Sequence, residues 1–60
     1  MTEAARTAAA LWRQYGEDAV VIATLRAAEV AAVGDIEALA HWDEVAAILS
    51  GEEAPPGAAN

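Results

Sequence analysis

The residues of this 60-residue chain that could do chemistry are one histidine, a few neighbouring carboxylates and three aromatics. His41 sits four residues after Glu37 and three before Glu44. On a helix those spacings bring an imidazole near two acids, as general acid-base work or a cation site would need. Both readings are short of parts. One imidazole cannot build a zinc site, and the acids would need water or another chain to complete it. Acid-base catalysis also needs a nucleophile, an orienting group and a pocket, and the sequence offers none of them. A rim histidine beside solvated acids is the simpler reading.

The paired carboxylates Glu17-Asp18, Asp43-Glu44 and Glu52-Glu53 are adjacent in sequence. Adjacent helical residues do not share a face, and glycosidase-like chemistry needs two carboxylates across a cleft that a chain this short has little room for. Capping and solubility account for them. Trp12, Tyr15 and Trp42 could line a recognition pocket, because aromatics are frequent hot spots. Their phases match the apolar stripes described below, so core packing or a subunit seam comes first. The sequence predicts no catalytic residue, no cofactor and no metal.

Ten acids stand against three arginines and no lysine, giving a formal charge of -7. Phosphate contacts need clustered Lys or Arg, so nucleic acid and anionic membrane are both poor partners. A basic protein partner is compatible. Cysteine is absent, which removes disulfides and thiolate metal sites and makes the cytoplasm the expected compartment. No signal peptide is expected in Met1 to Ala10, which carries Glu3 and Arg6. The most apolar run, Ala19 to Leu25, is too short to span a bilayer.

The elements that must position these residues are helices. The pattern predicts a single domain over 1–51, with helices at about 3–15, 18–33 and 36–50, and a disordered acidic Pro-Gly tail over 52–60. Thr2 suits the first N-cap, with Glu3 in the first turn. Ala4, Ala8, Leu11, Trp12 and Tyr15 share one face, weak at its start and strong at its end. Fraying is therefore expected in the first turns. Gly16 stops this helix in a left-handed C′ position, and Glu17 or preferably Asp18 caps the next.

In the second helix Val21, Leu25, Ala28 and Ala32 form the main stripe, with Ile22, Glu29 and Val33 beside it. Val20-Val21-Ile22 has strand propensity, but it lacks polar alternation and runs on into a helical pattern. Gly34 ends the helix and Asp35 caps the third, which makes an αα-hairpin. There Ala38, Trp42, Val45 and Leu49 share a face, flanked by Leu39 and Ala46. Val20, Val30 and Ile48 point away from these stripes. Arg26 and Glu29, three apart, can pair across a turn for about 0.2–0.5 kcal/mol.

Three short helices cannot bury all of these large apolar residues against one another. Domains this small often need a partner. Two hairpins packed face to face would make a four-helix core, so a helical-bundle homodimer is expected. The small residues Ala27, Ala28, Ala31 and Ala32 would permit close approach. Self-pairing brings acidic surfaces nearer, so charge mildly opposes it. The candidate core or interface set is Leu11, Trp12, Tyr15, Val21, Leu25, Ala28, Ala32, Leu39, Trp42, Val45 and Leu49.

Tyr15-Gly16-Glu17-Asp18-Ala19, then Leu25-Arg26-Ala27-Ala28-Glu29, then Gly34-Asp35 with Ala40 and Trp42, resembles a group of short all-helical alphaproteobacterial proteins. The resemblance covers about residues 11–49. It implies an all-helical fold and makes Arg26 and Glu29 a shared feature, either an inter-helix or inter-subunit salt bridge or a plain surface pair. That group has no assigned activity, cofactor or binding residues, so none is implied here. This chain departs from it in lacking basic residues in its last helix and in its Pro-Gly tail.

The expected protein is thus an all-α, three-helix protomer that self-associates. The leading function is a non-enzymatic protein-protein interaction module. The alternative is an acidic regulator, anti-repressor or antitoxin-like, that mimics nucleic-acid charge or blocks a basic protein surface.

Overall fold

The computed structural model describes residues 2–51 and is all-α. The expected tail over 52–60 lies outside the described residues. Helix α1 spans Glu3–Tyr15, α2 Ala19–Ala32 and α3 Ile36–Leu49. None of them is long and apolar enough to cross a membrane.

Side-chain caps open two of the helices. Thr2 Oγ1 accepts the Ala5 N–H at 3.1 Å and Asp35 Oδ1 accepts the Ala38 N–H at 3.0 Å. Each satisfies one of the donors that a helix start leaves unpaired. Asp18 occupies the N-cap position of α2 but makes no such bond. A single 3₁₀ turn, Gly16–Asp18, runs straight into α2 and holds Asp18 in helical geometry. The Ala19 N–H is taken by the Gly16 carbonyl instead. Gly16 itself has φ 60° with ψ -129°, a conformation open to glycine rather than the left-handed helical one expected.

The α2–α3 connection is a Schellman turn. The Asp35 N–H reaches the Val30 carbonyl and the Gly34 N–H reaches the Ala31 carbonyl, both at 3.0 Å. Gly34 has φ 76°, which an L side chain rarely adopts.

The hairpin packs α2 along α3, and α1 lies mainly on α3. The core they share is small. Ala4, Ala8, Ala23, Val45 and Ile48 form one buried cluster, and Ala19 is also fully covered. Leu11, Trp42 and Leu49 pack on its edge, half-buried.

Three expectations are corrected by this core. The start of α1 is its buried part, because Ala4 and Ala8 are small enough to bring the α1 backbone close to α3, while Tyr15 at its other end is exposed. Ile48 lies inside the core, one helical turn from Val45 and on the side that meets α1. Val20 and Val30 are half-buried rather than turned away.

Candidate protein-interaction surface

The chemistry-bearing residues are dispersed. His41 is half-buried and its partner is a hydroxyl: Thr7 Oγ1 on α1 lies 3.3 Å from Nε2. Thr7 also donates to the Glu3 carbonyl at 3.1 Å. A hydroxyl has one proton, so these two contacts together fit the tautomer in which Nε2–H donates to Thr7. The imidazole meets the Trp42 ring edge to face, with centroids 5.4 Å apart. His41 therefore ties α3 to α1. Glu37 and Glu44, on the same flank of α3 one turn to either side, are exposed, and His41 bonds to Thr7 rather than to either of them.

Glu17, Asp18, Asp43 and Glu44 are all exposed, and Glu52-Glu53 lies outside the described residues. Among the described residues no three His, Cys, Asp or Glu side chains gather as a metal site would require.

The apolar residues of α2 are distributed against their size. The inward line is Ala19, Ala23, Ala27 and Val30, buried or half-buried. Val21, Leu25, Ala28 and Ala32 sit about half a turn round the helix, at ~100° per residue, and all are exposed. Val21 is 54% and Leu25 55% exposed. The stripe read as the main packing face of α2 thus faces outward from the three-helix unit. Small residues won the inner position because α2 lies close along α3, where a leucine would hold the backbones apart.

Arg26 and Glu29 flank the stripe and pair at 3.1 Å, with both side chains more than half exposed. An exposed pair of this kind adds at most about 1 kcal/mol. Tyr15 leans over the same flank and, with Ile22, Leu25, Arg26 and Glu29, lines a shallow cleft of about 160 Å³. Drug-sized ligand pockets run from about 300 Å³ upward, so this cleft has room for about one side chain. Val33 and Ile36, the most exposed large apolar residues among those described, stand on either side of Gly34 at the hairpin apex.

Of the other expected residues, Val45 is fully buried, and Leu11, Trp12, Leu39, Trp42 and Leu49 are half-buried. The reading by apolar size passed over Ala19 and Ala23, both inaccessible to solvent. Their signal was a four-residue repeat of alanine, Ala19-Ala23-Ala27, matched by Ala4-Ala8 on α1. Such spacing lets helices approach closely. No family model, curated protein or solved structure matches this chain.

Proposed function

We propose that the chain is a non-enzymatic protein-protein interaction module that binds through the open face of α2. One observation carries the reading: four apolar positions of a single helical phase, Val21, Leu25, Ala28 and Ala32, lie uncovered while alanines fill the core beneath them. Single exposed apolar residues are ordinary, but a contiguous apolar surface marks a binding site. The cleft beside Leu25 adds a notch for one side chain of a partner.

A second reading rests on a different surface. Glu37, Asp43 and Glu44 are exposed along the outer side of α3 in a chain of charge -7. That face would suit a basic protein, as a charge mimic or a block.

A photo-crosslinking residue placed at Leu25 or at Asp43, in the native cell, separates the two. Capture through position 25 that disappears when Val21→Glu is added supports the α2 face. Capture of a basic protein through position 43, unaffected by Val21→Glu, replaces it with the acidic reading.

A further inference from the structure

Resting on the α2 face as the binding surface, we infer that its occupant is a second copy of this chain. The two α2 helices lie antiparallel about a two-fold axis level with the midpoint between Ala27 and Ala28.

Size gives the orientation. The stripe is large in its first half, Val21 and Leu25, and small in its second, Ala28 and Ala32. A parallel pair would set Leu25 on Leu25 and alanine on alanine, leaving a gap at one end of the seam. An antiparallel pair sets large against small. With the axis at that midpoint, Leu25 falls level with the space between the partner's Ala28 and the partner's Ala32, as a knob meets a hole.

Charge gives the same register independently. Arg26 and Glu29 are equidistant from that midpoint and lie on one flank of the stripe. In an antiparallel two-fold pair, like flanks lie side by side. Arg26 then stands level with the partner's Glu29, and Glu29 with the partner's Arg26. The 3.1 Å pair within one chain becomes part of a four-charge ring with no net charge. A parallel seam would put Arg26 and the partner's Glu29 on opposite sides of the seam and leave the two pairs apart.

Charge also selects the kind of occupant. Within Ala19–Ala32 the only charged residues are Arg26 and Glu29, so this face is neutral in a chain of charge -7. A basic protein would find no excess of acid here, whereas an identical face finds both signs in matching places. Acids do meet at the ends of the seam, where Glu17 and Asp18 approach the partner's Asp35. Self-association should therefore be weak in dilute buffer and tighten at about 150 mM salt, where the screening length falls to about 8 Å. The 14-residue α2 is about 21 Å long at 1.5 Å per residue. A seam of that length belongs with small interfaces under about 1,200 Å².

The test is the mass of the full chain by light scattering from about 1 to 500 µM, with single-cysteine variants in parallel. The chain has no cysteine of its own. The expected result is a mass that doubles with concentration. Leu25→Glu should weaken the dimer at least about tenfold while leaving the helical circular dichroism unchanged, since Leu25 faces solvent in the protomer. Arg26→Glu and Glu29→Arg should each weaken it, and mixing the two variants should restore a heterodimer. A short bismaleimide should link Ala28→Cys to itself and Val21→Cys to Ala32→Cys. It should not link Val21→Cys to itself, because those positions lie ~20 Å apart along the seam.

Self-linking of Val21→Cys, or a dimer indifferent to Leu25→Glu, overturns the antiparallel seam. A chain that stays monomeric at 500 µM overturns it too. None of these results touches capture of another protein through position 25, so this inference and the interaction-module reading fail separately.

Discussion

Replacing Val45 with alanine tests whether the core lies where alanines, not leucines, surround it. Val45 is the largest side chain among the described residues with no solvent exposure. The change removes two buried carbons, about 1.6 kcal/mol at ~0.8 kcal/mol each. A void of roughly 40 Å³ adds about 1 kcal/mol at ~24 cal/mol per Å³. The total, about 2–3 kcal/mol, is a large share of the roughly 2.5–7.5 kcal/mol expected for a domain of about 50 residues. In urea, with a slope of about 1 kcal/mol per molar, the midpoint should fall by about 2–3 M. Leu25→Ala is the matched control. Leu25 is 55% exposed, so trimming it loses less than half of the transfer term, about 1 kcal/mol, and opens no cavity. Both should be followed by circular dichroism at a concentration low enough to keep chains apart. A Val45→Ala midpoint within about 0.5 M of the parent, or a Leu25→Ala shift as large as that of Val45→Ala, would refute this placement of the core.

Ala23→Leu should destabilise by about 1–3 kcal/mol, because Ala23 is fully covered by the core cluster and extra carbons there force strain. Thermal melting should show it as a loss of about 4–8 °C per kcal/mol. Asp35→Ala should cost about 1 kcal/mol, since its carboxylate caps Ala38. Asp18→Ala, which loses no capping bond, should stay within about 0.5 kcal/mol in the same urea titration. Gly34→Val should cost about 1–2 kcal/mol from the left-handed backbone alone, because a Cβ built there meets nothing within 4 Å. A smaller loss for Gly34→Asn than for Gly34→Val in that titration checks that origin.

The helices and the hairpin were legible because their signals are local. Thr2, Asp35 and Gly34 act on backbone within a few residues of themselves, and the structure uses each in that role. The facing of α2 was not legible from apolar size. All round this helix the residues are apolar except Thr24, Arg26 and Glu29, so periodicity offers more than one stripe and does not say which turns inward. Distance between helices decided it. With Ala4 and Ala8 on α1 and Ala19 and Ala23 on α2, the backbones close on Val45 and Ile48, and Leu25 has no room inside. Asp18 takes the expected N-cap position but not the expected bond, for a related reason. Cap preference describes a residue entering a helix from extended chain, whereas Asp18 enters from a 3₁₀ turn already wound. His41 was placed on the acidic flank, but the approach of α1 supplied Thr7 as its partner.

Exposure alone would not make the α2 stripe a surface with a purpose, since much of any protein's surface is apolar. Val33 and Ile36 are more exposed than Leu25, yet they flank a turn and form no row along a helix. The difference is phase. Val21, Leu25, Ala28 and Ala32 repeat at four, three and four residues, the spacing that presents a continuous ridge to another helix. Charge obeys the same division. Glu17, Asp18, Asp35, Glu37, Asp43 and Glu44 lie in the turns and on α3, while along α2 one arginine offsets one glutamate. Charged groups near a seam resist desolvation unless they are paired. A neutral, ridged, apolar face on an otherwise acidic body is what contact between like molecules requires, because every uncompensated charge on it would be met by its own copy.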